Sequence, residues 1–98
     1  MPIGIGKANV ATKATNVEVE EASTEIIAAN ENRNGLELVN TSTQPVYLGL
    51  GKAGEAKKGI LLTANGGSWD GLIGPMLWTG SVFGAAGGAK SIVTVLEV

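Results

Sequence analysis

The chain contains no cysteine, no histidine, a single arginine (Arg33) and only four aromatic residues. Without cysteine there is no disulfide framework and no thiolate nucleophile, a composition that fits synthesis in a reducing cytoplasm. Without histidine the commonest general base and the commonest metal ligand are missing. Seven basic against nine acidic residues leave a net charge of −2, which argues against neutralising a nucleic-acid backbone. Long apolar runs are also lacking. The opening M-P-I-G-I-G-K has none of the roughly 7–15-residue apolar core of a secretory signal. Nothing approaches the ~18 apolar residues that span a bilayer, so the expectation is a soluble protein made in the cytoplasm, with no membrane partner.

What is present is aliphatic and rich in glycine. Hydrophobic residues make up 44% of 98 positions, yet the aromatics are only Tyr47, Trp69, Trp78 and Phe83. The core must therefore be built from Val, Ile, Leu and Ala. Fifteen glycines favour tight turns and close backbone contacts over helix, where each glycine costs about 1 kcal/mol relative to alanine. A chain of this length forms one domain with a modest core, which a partner surface would help to stabilise.

Residues 1–13 read as an extended N-terminal arm. It is either a loose terminus or, through the alternating Ile3 and Ile5, an arm that orders on a neighbouring subunit. Residues 14–98 read as a single β-domain. Asn16–Glu20 alternates with period two, the mark of a half-buried strand. Thr24–Ala29 is a second strand, whose adjacent Ile26 and Ile27 imply burial on both faces or a covered end. A helix there is opposed by its β-branched residues and by Asn34-Gly35 just beyond, the strongest hairpin dipeptide. That dipeptide predicts antiparallel pairing with a third strand, Leu36–Asn40. Val46–Leu50, Gly59–Thr63, Leu77–Phe83 and Ser91–Val98 follow as strands. Asn65–Ser68 and Gly84–Ala89 read as turns, and Trp69–Met76 as irregular. The fold class is all-β, a small antiparallel sandwich or barrel of about seven short strands.

No motif supplies a reaction. Gly49-Leu50-Gly51-Lys52-Ala53-Gly54 fits the dinucleotide fingerprint G-x-G-x-x-G, but Glu55–Lys58 leaves room for about one helical turn before Gly59, and no crossover helix fits. No Gly-Lys pair has the spacing of a phosphate loop. Glu18, Glu20 and Glu37 alternate with apolar residues and are expected to face solvent. Asp70 beside Trp69 has two readings: the ring stacks on a sugar whose hydroxyls the carboxylate binds, or Trp69 simply closes one end of the sandwich. Trp78 reads as a strand residue in core or interface. Lys52, Lys57 and Lys58 read as a solvated loop or as a contact for an acidic surface. Asn40-Thr41-Ser42 is a polar turn. No catalytic, metal or cofactor-binding residue is assigned.

Five groups of residues carry a family resemblance: Ile26-Ile27 with Ala29-Asn30; Arg33 with Leu36, Leu38 and Asn40; Val46-Tyr47-Leu48-Gly49; Gly59-Ile60 with Leu62; and Val93-Thr94-Val95-Leu96-Glu97. From Thr24 to Val98 the chain resembles the small β-structured virion proteins of tailed bacteriophages, of the head-decoration and head-fibre type. The resemblance implies a non-catalytic homo-oligomer, a trimer favoured, bound in many copies to the major capsid protein on the virion surface. The alternative it leaves is a carbohydrate-binding or adhesion module of a tail or fibre. Candidate interface residues are Ile3, Ile5, Trp69, Asp70 and Trp78.

Overall fold

The closing segment S-I-V-T-V-L-E alternates buried and half-buried residues without a break, and that pattern dictates a strand packed on one face. A computed structural model describes residues 13–55, 57–71 and 77–98. They form eight strands: β1 (Lys13–Val19), β2 (Thr24–Ile27), β3 (Leu36–Asn40), β4 (Val46–Leu50), β5 (Ile60–Leu62), β6 (Ser68–Trp69), β7 (Val82–Ala86) and β8 (Ser91–Glu97). Two four-stranded antiparallel sheets, β1-β8-β3-β6 and β2-β7-β4-β5, face each other. Among the described residues there is no helix, and the all-β sandwich expected from the sequence is what the structure has.

The wiring has a simple rule. β1 pairs with β8, β2 with β7, β3 with β6 and β4 with β5, as in one long hairpin. Alternate pairs belong to alternate sheets, and β3·β8 and β4·β7 contacts stitch them together. A long hairpin rolled up in this way is a jelly roll. Only β4 and β5 are both consecutive in the chain and neighbours in a sheet.

Val19, Ile26, Ile27, Leu36, Leu38, Val46, Leu48, Leu62, Val82, Ala86, Val93 and Val95 fill the space between the sheets. The core is aliphatic, with Trp69 and Trp78 packed against its margin. Ile26 and Ile27 both reach it because a β-bulge falls between Glu25 and Ile27. The extra residue lets two consecutive side chains point inward.

Several expected elements are corrected. β2 and β3 do not pair: they lie in opposite sheets. Asn34 and Gly35 both donate to the Val98 carbonyl (2.6 and 3.3 Å), and Val98 donates back to Gly35 (3.0 Å). The dipeptide thus extends the β3–β8 ladder instead of turning. The cause lies just before it. Asn30 accepts from the Asn32 amide (3.0 Å), and Arg33 turns inward, carrying the chain across the sandwich. The strand expected at Leu77–Phe83 begins at Val82, and Trp78 is not in a strand. Carbonyls of the preceding residues are held by other partners: Thr79 by the Asn30 amide, Gly80 by Arg33 and Ser81 by the Gly51 amide. Gly84-Ala85-Ala86, expected as a turn, is strand, and Ser68–Trp69 adds an eighth strand.

Arg33 is fully buried. Its Nε donates to Glu97 Oε2 (2.7 Å), Nη1 to the Trp78 and Gly80 carbonyls (2.9 and 3.2 Å), and Nη2 to the Ala28 carbonyl (2.8 Å). Asn30 adds a second donor to Glu97 Oε2 (3.2 Å). The guanidinium therefore ties together the chain leaving β2, the chain entering β7, and the end of β8. Asn40, at the far end of β3, is the second buried staple. Its Nδ2 donates to the Gln44 and Leu62 carbonyls (2.7 and 3.1 Å), and its Oδ1 accepts from the Ser42 amide and hydroxyl (3.0 and 2.7 Å).

Removing one partner of a buried ion pair leaves the other charge unpaired, at a cost of about 3–5 kcal/mol. Arg33→Met is expected to destabilise the fold on that scale, and the double variant Arg33→Met/Glu97→Met by clearly less. Urea unfolding of the four proteins in the cycle checks this, and equal losses in the single and double variants would refute it.

Candidate interaction surface

The residues singled out by sequence fall in three places. Ile3 and Ile5 lie outside the described residues. Trp69 stands on β6 opposite Leu38, half-buried, with its ring against the core. Trp78 also packs on the core; its indole Nε1 donates to the Ser81 carbonyl (3.0 Å), and its backbone amide to the Gly71 carbonyl (3.0 Å). Asp70, next to Trp69, is exposed. The β3–β6 register brings it alongside Glu37, whose carboxyl pKa is raised first by burial and then by the neighbouring Asp70. Glu18 and Glu20 are exposed as expected and both approach Lys90 (3.4 and 3.5 Å), holding its ammonium above the usual range. Among the described residues, no three acidic side chains gather as a metal ion would require.

The glycine motif after β4 has a structural explanation. β5 returns antiparallel to β4, so the segment is not the start of a parallel crossover. Instead, residues 51–55 strap the outer face of the β2-β7-β4-β5 sheet. A side chain on Gly49 would lie 2.5 and 2.7 Å from the Lys52 and Ala53 carbonyl oxygens, and one on Gly54 2.9 Å from the backbone of Gly84 and Ala85. The Gly54 amide donates to the Ser23 hydroxyl (2.8 Å), fastening the strap beside β2. Beneath it lies a cavity of ≈ 130 Å³, bordered by Lys52, Glu55 and Lys58. Glu55 and Lys58 pair across its mouth at 3.2 Å, both largely exposed.

Beyond the strap lies a residue the sequence reading missed. Leu61, central in β5, is 49% exposed and is the large exposed hydrophobic side chain among the described residues. Ile60 and Leu62 point inward, opposite Leu48 and Val46, so strand alternation turns Leu61 outward beside Tyr47. Three consecutive apolar residues in a short strand were the available signal, since one of them must face out.

Among the described residues, β5 is also the edge strand whose exposed side chain is apolar. Exposed sheet edges invite pairing with other chains, and proteins blunt them with charges, bulges or brevity. β1 carries Glu18, bridged to Lys90. β2 carries Glu25 and the bulge. β6 is two residues long and runs into Asp70. β5 offers Ile60-Leu61-Leu62, with no charge and no bulge.

No family model, no curated protein and no solved structure matches this chain.

Two outcomes follow from this geometry. Gly54→Ala places a methyl against backbone that cannot turn aside, and should cost about 1–3 kcal/mol. Ser23→Ala removes only the tether and should cost roughly 1 kcal/mol. Thermal melts that rank the two the other way would contradict the strap. For Glu37, a folded pKa above the ordinary 4.5 means that the folded state holds the proton more tightly. Its contribution to stability is thus largest at low pH and declines as pH rises from 4.5 through the folded pKa. Glu37→Gln should flatten that decline, and NMR titration of Asp70→Asn should show the Glu37 pKa lowered but still above 4.5, because burial remains.

Proposed function

We propose that this chain is a non-catalytic virion structural protein, a capsid decoration protein that binds an assembled head shell in many copies and stabilises it. The observation that carries this reading is the wiring. Pairing of β1·β8, β2·β7, β3·β6 and β4·β5 makes a jelly roll, an architecture found in viral capsid domains. The residues behind the phage-protein resemblance add to it. Arg33, Asn40, Gly49, Leu62 and Glu97 all belong to the buried frame or to the strap contact. The shared pattern is thus one of architecture, which leaves the outer faces free to suit a particular shell.

In this role the protein acts as a homo-oligomer on the capsid surface, with the major capsid protein as its partner. Individually weak contacts, repeated over the lattice, sum through multivalency. Ile3, Ile5 and the rims of Trp69 and Trp78 remain the proposed contacts with the shell.

Jelly rolls also serve as lectins. The exposed Asp70 carboxylate beside Glu37 favours, as a second reading, a carbohydrate-binding module of a tail or fibre. One experiment separates the two. Purified protein added to undecorated heads should be taken up saturably, with a fixed number of copies per head, and should raise the temperature at which the heads break. Absence of uptake, together with glycan-array binding that Asp70→Asn abolishes, would replace the first reading with the second.

A further inference from the structure

We infer that the free edge of β5 is a self-association site, through which two copies of this chain pair antiparallel about a twofold axis centred on Leu61. This inference stands apart from the virion reading and would survive its failure.

Three observations support it. First, among the described residues this edge is short but apolar, with Leu61 exposed at its middle, whereas the β1 and β2 edges carry Glu18 and Glu25. Second, the backbone is turned the right way. The Asn40 amide bridges the Gln44 and Leu62 carbonyls, so it sits between the ends of β4 and β5, and the Leu62 carbonyl faces the β4 side. Successive carbonyls of a strand point to opposite sides, which directs the Leu61 amide and carbonyl towards the free edge. Two copies centred on Leu61 would exchange a pair of backbone hydrogen bonds there.

Third, the edge is self-complementary, as an isologous contact must be. Antiparallel pairing about Leu61 sets it opposite the partner's Leu61, and Ile60 opposite the partner's Leu62. Every apolar residue of β5 then meets another apolar residue on the same face. Lys57 and Lys58 lie beyond the strand, past the positive-φ Gly59, so the three residues paired in this register carry no charge. Tyr47, beside Leu61 in the β4–β5 register, widens the apolar strip from each copy. The β1 edge is a poorer occupant, because it would set Leu61 against the exposed Ala14, Asn16 and Glu18. The result is a continuous eight-stranded sheet across the twofold.

β5 is three residues long, so the contact falls below the roughly 1,000 Å² of a stable interface and is weak in solution. It makes a dimer of a monomer, and a trimer would present three such edges to its neighbours.

The chain's lack of cysteine makes the test direct. Leu61→Cys places a single thiol on the axis opposite its own copy, where the Cβ atoms of a hydrogen-bonded pair lie about 5.5 Å apart and a small shift of the edge brings them to disulfide spacing. Under mild oxidation it should cross-link at least tenfold faster than Glu25→Cys on the β2 edge. Sedimentation equilibrium of the cysteine-free protein up to about 1 mM should show the mass doubling with concentration, and Leu61→Lys should raise the dissociation constant at least tenfold. Leu61 is exposed, so Leu61→Lys is expected to fold, which circular dichroism checks. A constant mass over the whole range, equal cross-linking rates, or association unchanged in Leu61→Lys would each overturn the proposal.

Discussion

The buried guanidinium of Arg33 is the interaction on which the rest of this fold depends. In a jelly roll most successive strands change sheets, so the connections cannot be held by local ladders. Arg33 supplies the missing order at one end. It gathers carbonyls from the segments flanking β2 and β7 and pairs with Glu97 on β8, three places far apart in sequence. Burying such a charge is costly unless its donors are matched, and here four N–H groups find acceptors. Asn40 does the same at the other end of β3, joining the sheets through the Leu62 carbonyl. Between these two polar staples the core can be purely aliphatic and still adopt one arrangement.

Glycine supplies the second constraint. The residues that resemble a nucleotide fingerprint are spaced by close approach instead of by phosphate binding. Gly49 lies beneath the carbonyls of Lys52 and Ala53, Gly51 turns the chain at φ +70°, and Gly54 presses on Gly84 and Ala85. The same contact explains the small side chain of Ala85, whereas Gly84 and Ala86 face the core, where a side chain on Gly84 would meet Ile26 and Val46. A larger side chain at Ala85 would lift the strap off the sheet. The glycine motif and Ala85 are thus the two sides of one contact.

The surfaces follow from this frame. Charge guards the β1 edge, a bulge the β2 edge and brevity the β6 edge. β5 is short as well, but its exposed side chain is the apolar Leu61, beside Tyr47, which makes it the edge proposed to take another strand. For a protein whose proposed work is assembly in many copies, an open edge flanked by lysine side chains and free of strong charge opposition is consistent with weak, repeated contacts.

Periodicity within each segment was enough to read most strands, because alternation of apolar and polar residues reports which face is buried. Val46–Leu50, Ser91–Glu97 and the aliphatic core were legible for that reason, and so was the want of a helix after Gly49. Pairing was not legible. Asn34-Gly35 is the best local hairpin signal in the chain, yet a buried arginine one residue earlier outweighs it, and the dipeptide joins β8 instead of turning. Leu77–Phe83 looked like a strand until tertiary hydrogen bonds claimed its carbonyls. Leu61 was not singled out, because which of three consecutive apolar residues faces outward is set by the β4–β5 register. By itself the sequence determined the class, the strands and the composition of the interior, which are properties of neighbours along the chain. Only the tertiary structure decided the jelly-roll wiring and the exposed edge. Those depend on buried polar bonds and close glycine contacts between residues dozens of positions apart, and no local pattern encodes them.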